Sequence, residues 1–127
     1  GPEPLIARAR RWRNMMGRAI RQSGVLAAAA QLALDHHVER LVDDHVRAAA
    51  LADGLCALGL DAEAHTNMVF VSLGDRDGAA IAGALAQLGV VVLPGPVLRL
   101  VTHLDVSDDD VSTTLDAFAR VLDHSDS

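Results

Sequence analysis

The fold is decided by residues 68–103, which read MVFVSLGDRDGAAIAGALAQLGVVVLPGPVLRLVTH. This stretch contains three short runs rich in β-branched and apolar residues, at 68–73, 90–93 and 97–103. Such runs, bounded by glycine and proline, predict strands. The second and third runs are separated by Pro-Gly-Pro at 94–96, a composition typical of a turn. The stretch therefore predicts three strands, of which the last two form a hairpin-like pair.

Two helices are predicted within and after this stretch. Asp77 can accept hydrogen bonds at the start of the first helix, and Gly89 suits its end. Ser107 caps the second helix, and Asp-Asp-Asp at 108–110 places three carboxylates at the positive end of the helix dipole. We interpret these carboxylates as a helix cap and not as a cation site. The apolar row of this helix consists of Val111, Leu115, Phe118 and Leu122.

Three further helices are predicted before residue 60. Residues 4–16 form a basic helical pattern, and residues 25–34 are apolar on nearly every side, which is typical of a helix buried in a larger assembly. A third pattern, which Gly59 ends, has apolar residues at steps of three and four. Its apolar positions are Val38, Leu41, Val42, His45, Ala49, Ala52, Leu55 and Leu58.

These elements predict an α+β fold in which helices are followed by a small three-stranded antiparallel sheet with two helices. The simplest sheet places the strand at 97–103 between those at 68–73 and 90–93, so that both neighbouring pairs are antiparallel. The first two strands are then parallel and linked by a helix, in agreement with the crossover rule. The earlier helices cannot bury their apolar faces on so small a sheet alone.

The composition restricts the partners. The chain of 127 residues has a net charge of −6, which argues against nucleic acid because phosphate binding needs clustered positive charge. No stretch reaches the roughly 18 apolar residues of a membrane span, and we expect a cytoplasmic location. Half of the residues are hydrophobic and the mean hydropathy is +0.23. This excess of apolar residues predicts surface meant for another chain or a missing domain.

The reactive residue types limit the chemistry. All eleven basic residues are arginine, which favours fixed anion binding, although a high-GC genome would give the same bias. The single cysteine, Cys56, lies among apolar helix positions and is interpreted as an inert core thiol. On a helix, His36 and His37 point about 100° apart, and His37 and His45 lie two turns apart. No metal site is therefore expected.

Several stretches carry a family resemblance. They are ARARRWRNMMG at 7–17, RQSGVLAAA at 21–29, HHVERL at 36–41, TNMVF at 66–70 and LRLVTHLDVS at 98–107. Through them the chain resembles the low-specificity L-threonine aldolases, in the part that follows their cofactor lysine. The resemblance covers nearly the whole chain, and the motif at 98–107 is its most specific part.

The resemblance implies a fold of the aspartate-aminotransferase type, with a large domain that holds pyridoxal 5'-phosphate and a small C-terminal domain. Residues 1–60 would be the helical end of the large domain and a connecting helix, and residues 61–127 the small α+β domain. The family forms homotetramers and cleaves β-hydroxy-α-amino acids to glycine and an aldehyde by a retro-aldol step. The cofactor ring acts there as an electron sink.

The resemblance also implies two binding residues and no catalytic residue. Arg99 matches the arginine that binds the substrate α-carboxylate, a role that suits a planar guanidinium fork. Arg21 matches an arginine near the cofactor phosphate. The chain departs from the family at Asn14, where a lysine is usual, and at 17–19, where Gly-Arg-Ala replaces a run of glycines. Glycines permit a closer backbone approach than these side chains do.

Two further residues close to these motifs are assigned structural roles. Asn67 is expected to tie down the entry of a strand and not to touch substrate. His103 lies beside Asp105, as a general base might require, but the family gives no such role to this position. We therefore expect His103 to be structural or to face a partner.

The cofactor that the resemblance implies is not compatible with the amino-acid composition of this chain alone. In this chemistry pyridoxal phosphate is held covalently by a lysine amine, and the 127 residues contain no lysine. Cofactor binding is therefore expected only with a lysine-bearing partner or a missing N-terminal domain, and the chain alone is expected to be inactive. It is either a fragment or one subunit of a split aldolase in a homo- or hetero-oligomer. The alternative is a non-catalytic, stand-alone binding or scaffold domain derived from the family.

Overall fold

The computed structural model describes residues 1–15 and 23–125. The chain separates into two compact units, Gly1–Val38 and Glu39–Ser127. The first unit contains helices α1 (Glu3–Met15) and α2 (Ser23–His36). The second contains, in chain order, α3 (Leu41–Ala57), β1 (Asp61–His65), β2 (Met68–Ser72), α4 (Gly78–Gln87), β3 (Val97–Val101) and α5 (Asp108–Ser125).

The first unit has no core of its own among the residues that the structure describes. Neither α1 nor α2 has a buried residue. The apolar side chains Val25, Leu26 and Leu34 of α2 are all more than half exposed. Both helices lie where the sequence predicted them, and the expectation that α2 is buried in a larger assembly stays a prediction.

The second unit is built on a three-stranded antiparallel sheet in the order β1-β2-β3. The central strand β2 pairs with β1 from Asp61↔Ser72 to His65↔Met68. It pairs with β3 from Met68↔Val101 to Ser72↔Val97. The predicted α+β fold, with helices before a small antiparallel sheet and two further helices, is therefore confirmed.

The prediction is wrong about which segments form the strands and about the order of the strands in the sheet. The edge strand β1 was not predicted, because its sequence DAEAH consists of residues with low strand propensity. Residues 90–93, predicted as a strand, form none. Val90 and Val92 pack against the core, but the segment does not pair with β3, beside which it was predicted. As a result β3, predicted to be central, is an edge strand.

The core lies between the inner face of the sheet and the helices of the second unit. It includes residues from β2, β3 and all three helices, among them Leu55, Val69, Val71, Leu85, Leu98 and Phe118. In α5 the predicted apolar row is confirmed, since Val111, Phe118 and Leu122 are buried. The compact second unit begins at Glu39 and so includes α3. Our assignment of residues 1–60 and 61–127 to two domains of a larger fold stays a prediction.

The buried face of α3 differs in part from the predicted one. Ala52 and Leu55 are buried as expected, but Val42 is 62% exposed and His45 is also exposed. Asp44, which is not among the predicted apolar positions, is only 3% exposed. The buried stripe runs along Asp44, Ala48, Leu51, Ala52 and Leu55. The helical period was read correctly, but the apolar residues of the first turns lie outside this core.

The helix caps agree with the prediction. The Asp77 carboxylate accepts hydrogen bonds from the backbone N–H groups of Ala79 and Ala80 at the start of α4. At the start of α5, the Ser107 hydroxyl accepts a bond from the Asp110 N–H, and the Asp110 carboxylate accepts bonds from the Ser107 hydroxyl and N–H. This reciprocal pair is a capping box. Gly89 ends α4 with a positive φ of 86°.

The first residue of α4 makes a close backbone contact. A Cβ atom added to Gly78 would collide with the carbonyl oxygen of Gly95 in the Pro-Gly-Pro turn. In contrast, a Cβ atom added to Gly83, in the same helix, would meet nothing within 4 Å. Glycine is therefore required at position 78, where the turn before β3 packs on the helix.

Gly78→Ala is expected to lower the free energy of unfolding by about 1–3 kcal/mol, because backbone atoms must move to remove the collision. Gly83→Ala, the control in the same helix, is expected to raise it by about 0.5–1 kcal/mol through helix propensity. Urea unfolding followed by circular dichroism measures both. Equal effects of the two substitutions would contradict the close contact.

Ser107→Ala is expected to lower the free energy of unfolding by about 1 kcal/mol near neutral pH. Hydrogen bonds from the Ser107 hydroxyl and N–H hold the pKa of the Asp110 carboxyl below its ordinary value of 3.8. A carboxyl whose pKa is lowered on folding stabilises above its unfolded pKa, and this contribution is lost as the pH falls through the folded pKa.

The difference between wild type and Ser107→Ala should therefore shrink as the pH is lowered below about 4, where the carboxyl begins to protonate. Ser112→Ala is the control, because the Ser112 hydroxyl donates to the backbone oxygen of Asp108 and to no carboxylate. Unfolding at a series of pH values tests this. A difference that is independent of pH would count against the capping box.

Candidate functional site

The outer face of the sheet is the candidate site, because it carries Arg99. Side chains along a strand alternate between the two faces of a sheet. The inward-facing residues of β2 and β3 are the buried Val69, Val71, Leu98 and Leu100. The outward-facing residues are Asp61, Glu63 and His65 in β1, Met68, Phe70 and Ser72 in β2, and Val97, Arg99 and Val101 in β3.

Arg99 lies in the middle of β3, directly opposite Phe70. It is exposed and forms no ion pair or hydrogen bond with another residue in the described part of the chain. Val97 and Val101 share its face and are 50% and 41% exposed. The guanidinium has five donors in a fixed fork. On a strand and without an intramolecular acceptor, it can receive a carboxylate.

Phe70 separates Arg99 from the acidic edge strand. Glu63 of β1 is the partner of Phe70 on the other side. His65 contacts the Phe70 ring edge-on, with centroids 6.0 Å apart and planes at 61°. The Nε2 atom of His65 lies 3.2 Å from Oε2 of Glu63. Across the sheet, the outer face therefore changes from carboxylates through an aromatic ring to a cation.

A shallow depression of about 140 Å³ lies on this face. Its lining consists of Asp61, Glu63, Phe70, Ser72 and Val97. A larger cavity, of about 520 Å³, lies elsewhere, between α4 and α5. That cavity is mainly apolar and Arg99 does not line it. The larger cavity is therefore not the candidate site, because the charged side chains lie on the outer face of the sheet.

A buried hydrogen-bonded junction follows the end of β3. Thr102 is 2% exposed, and its hydroxyl donates to the backbone oxygen of Asp44 in α3 over 2.7 Å. The Thr102 N–H donates to the Asn67 carbonyl over 2.9 Å. In return, Nδ2 of Asn67 donates to the Thr102 carbonyl over 2.8 Å. The junction joins α3, the β1–β2 turn and β3, and it confirms the expected tying role of Asn67.

The carboxylate of Asp44 forms an ion pair with Arg40, the residue just before α3. Both guanidinium NH groups of Arg40 donate to it, NH2 to Oδ1 over 2.7 Å and NH1 to Oδ2 over 3.1 Å. This fork geometry is the strong form of the arginine–carboxylate pair. Sequence reasoning did not find the junction. The spacing of four residues between Arg40 and Asp44 was the available signal, since such pairs lie on one helix face.

The remaining predicted residues fall outside this arrangement. Arg21 lies outside the residues that the structure describes. His103 is exposed, and its Nδ1 accepts a 3.3 Å bond from the Asp105 N–H. The prediction of a core thiol is wrong, because Cys56 is exposed and its Sγ donates to the Ala62 carbonyl over 3.3 Å. It lies one residue beyond the buried Leu55, about 100° further around α3 and outside the buried stripe.

Within residues 1–15 and 23–125, no group of three or more His, Cys, Asp or Glu residues is placed to hold a metal ion. No helix in these ranges is long and apolar enough to cross a membrane. The arginine on the sheet thus remains the strongest candidate for binding a ligand.

Comparison with known proteins gives the family. The profile of a family described as "Beta-eliminating lyase" matches residues 1–76. The chain belongs to this family. It is 43% identical to the low-specificity L-threonine aldolase of Escherichia coli over 113 residues, which are 88% of this chain and 34% of the relative. It is 32% identical to low-specificity L-threonine aldolase 1 of Arabidopsis thaliana over 133 residues, 96% of this chain and 37% of the relative.

The predicted resemblance to the threonine aldolases is confirmed, and the chain spans about a third of the length of these relatives. Solved structures give the fold. A NifS-like protein, 17% identical, superposes with a TM-score of 0.70 over 77% of this chain and 32% of its own. An N-acetylornithine aminotransferase from Stenotrophomonas maltophilia, 26% identical, superposes with a TM-score of 0.64 over 77% and 30%. The predicted fold of the aspartate-aminotransferase type is confirmed.

The cofactor implied by the resemblance does not fit this chain by itself. Its covalent attachment needs a primary amine from a lysine side chain, and the chain has none. The face around Arg99 offers one guanidinium but no second cation for a doubly charged phosphate among the outward-facing strand residues that the structure describes. This face therefore suits a carboxylate better than a phosphate.

Proposed function

We propose that this chain is the C-terminal part of a pyridoxal-phosphate-dependent aldolase of the threonine aldolase type. The complete enzyme would cleave or form β-hydroxy-α-amino acids, with glycine and an aldehyde as the other reactants. The observation that carries the proposal is the exposed Arg99, which has no ion-pair partner among the described residues, in a chain 43% identical to such an aldolase.

The proposed role of Arg99 is to bind the α-carboxylate of the amino acid. A bidentate pair fixes both the position and the rotation of a carboxylate. It thereby orients the bond that is to break relative to the reacting group, and such orientation lowers the barrier without chemistry by the arginine itself. The apolar neighbours Val97 and Val101 would reduce access of water to the pair and so strengthen it.

The cofactor belongs to the complete enzyme. Bound pyridoxal phosphate supplies the electron sink for the carbanion that the reaction leaves. The covalent lysine must come from an N-terminal portion on the same polypeptide or on a partner chain. Arg21 is proposed to bind near the cofactor phosphate, where a guanidinium stays charged at any working pH.

Dependence on a partner is supported by the exposed apolar side chains. The first unit buries none of its described residues. In the second unit, Leu41, Val42 and Val46 of α3 are likewise exposed. Monomeric soluble proteins rarely expose apolar surface on this scale. We propose that an N-terminal cofactor domain covers these residues, either in one chain or in a homo- or hetero-oligomer, in the cytoplasm.

The second candidate function is a stand-alone domain that binds carboxylates or serves as a scaffold. It is favoured by the compact second unit, whose core is complete without the first unit. The two functions differ in whether a lysine-bearing portion restores turnover. Binding of an amino acid by the chain alone, with no activity after such a portion is added, would favour the second function.

The 127-residue chain alone is expected to show no cleavage of L-threonine and no absorption band beyond that of free cofactor, because it lacks lysine. A fusion with the N-terminal two-thirds of the Escherichia coli aldolase is expected to restore both. The N-terminal portion without this chain is the control. Glycine and acetaldehyde formation measures activity, and turnover by the chain alone would overturn the proposal.

Arg99→Ala in the active fusion is expected to raise KM for L-threonine by a few tens to a few thousandfold while the cofactor spectrum is preserved. Loss of a charged, partly dry pair costs about 2–5 kcal/mol. Arg99→Lys is expected to recover only part of the loss, because an ammonium keeps the charge but not the fork.

Arg76→Ala is the matched control, since Arg76 is an exposed arginine in the turn after β2. It is expected to leave KM unchanged. Arg21→Ala is expected to show the opposite pattern, with weaker cofactor retention. An unchanged KM in Arg99→Ala, with the fusion intact, would show that the family role does not extend to this arginine.

A further inference from the structure

The geometry points to Thr102 as the positioning residue that fixes Arg99 opposite Phe70, by setting the register of β3. The inference rests on the proposed carboxylate-binding role of Arg99. It deepens that role by identifying what holds the guanidinium at its place on the sheet. Thr102 lies three residues beyond Arg99 and faces the opposite side of the sheet, so it acts through the strand and not by contact with a ligand.

The apolar pattern of β3 does not by itself fix its register. A slip of one residue would turn Arg99 into the core and is excluded by the alternation of the side chains. A slip of two residues keeps the same face inward. Since Val97, Arg99 and Val101 all face outward, such a slip would place one of the valines opposite Phe70 and move the guanidinium by about 7 Å.

Proline blocks the slip in one direction. The Leu73 N–H donates to the carbonyl of Pro96 over 3.1 Å, so these two residues are a hydrogen-bonded pair. Hydrogen-bonded pairs alternate along an antiparallel ladder, and Val71↔Leu98 is therefore the next one. If β3 moved by two residues so that Leu98 stood opposite Val69, Pro96 would stand opposite Val71. Proline has no N–H, and the ladder would lose a bond.

Thr102 blocks the slip in the other direction. That slip would place Thr102 opposite Val69, where Leu100 now lies. Its hydroxyl would leave the Asp44 carbonyl and enter an apolar position between sheet and helices. A buried hydroxyl without a partner is disfavoured. In the observed register both buried polar residues of the described chain, Asp44 and Thr102, are hydrogen-bonded to each other.

If Thr102 sets the register of β3, its substitution should change the position of Arg99 and not the stability of the fold. In Thr102→Val the inward row of β3 becomes wholly apolar, and the Asp44 carbonyl remains within the hydrogen-bonded turn of α3. Replacing a buried hydroxyl by a methyl group of the same shape is then expected to leave Tm nearly unchanged. The preference for one register is weakened, because valine tolerates the slipped position. A purely structural role for Thr102 would have the opposite signature, a lower Tm with an unchanged KM.

The test compares Thr102→Val, Thr102→Ser and Thr114→Val in the active fusion. Thr114 is the matched control, since its hydroxyl also donates to a backbone carbonyl, that of Asp110, over 2.8 Å and far from β3 in the chain. Thr102→Val is expected to raise KM for L-threonine about tenfold, the scale of one hydrogen bond. Thr102→Ser and Thr114→Val are expected to stay within about threefold of wild type.

A second measurement does not depend on activity. In the 127-residue chain, nuclear Overhauser contacts between the backbones of Phe70 and Arg99 report the register directly. Thr102→Val is expected to weaken them and to add contacts between Phe70 and Val101, whereas Thr102→Ser and Thr114→Val keep the wild-type pattern.

The outcomes separate the two proposals. A wild-type KM and wild-type contacts in Thr102→Val, together with a raised KM in Arg99→Ala, would overturn the register role and leave the proposed function intact. Failure of Thr102→Val to fold would also overturn it, because the inference expects stability to be kept. An unchanged KM in Arg99→Ala would instead count against the proposed function, while the Overhauser contacts would still decide the register.

Discussion

The hydrogen bond from the Thr102 hydroxyl to the Asp44 carbonyl is the constraint on which the second unit depends. It joins the only two polar residues that are buried in the described parts of the chain, so Thr102 cannot leave this position without burying an unsatisfied hydroxyl. Asp44 is also paired with the guanidinium of Arg40 at the start of α3, and Thr102 is also hydrogen-bonded to Asn67 in the β1–β2 turn. Helix, turn and edge strand are thus held at one point.

The two faces of the sheet have different physical roles. The inner face is packed with branched aliphatic side chains that give the unit its stability. The outer face has the opposite composition, with carboxylates at one edge, Phe70 in the centre and Arg99 at the other edge. A cation without an internal acceptor does little for folding. The proposed function assigns it an external anion as its partner.

Much of the fold was predictable from local sequence, because caps, glycines and helical periods are local signals. Asp77, Ser107 and Gly89 end or begin helices as predicted. The strand β1 was not predictable in this way, because the sequence DAEAH takes its conformation from pairing with β2 and not from propensity. Residues 90–93 show the converse, since strong strand propensity did not produce a strand there, although β3 is an edge strand.

The candidate site was predictable only through the family resemblance, and only in part. An exposed arginine in a strand has no local signature of function, and alternation along β3 shows only that Arg99 shares a face with Val97 and Val101. The junction beneath it was not predicted, because it joins residues 58 positions apart in the chain. Burial of Asp44 also depends on how α3 rotates about its axis, and the apolar residues Leu41 and Val42 suggested a different rotation.

The position of Cys56 gives the chain a natural attachment point for a probe. It is the only thiol in the sequence and it is exposed, so a maleimide or methanethiosulfonate reagent would modify one defined atom without mutagenesis. Its Sγ lies against Ala62 at the edge strand β1, two interstrand spacings or about 10 Å from β3. A fluorophore or spin label there would sense a second polypeptide that approaches this edge of the sheet, and it would leave the guanidinium of Arg99 chemically untouched.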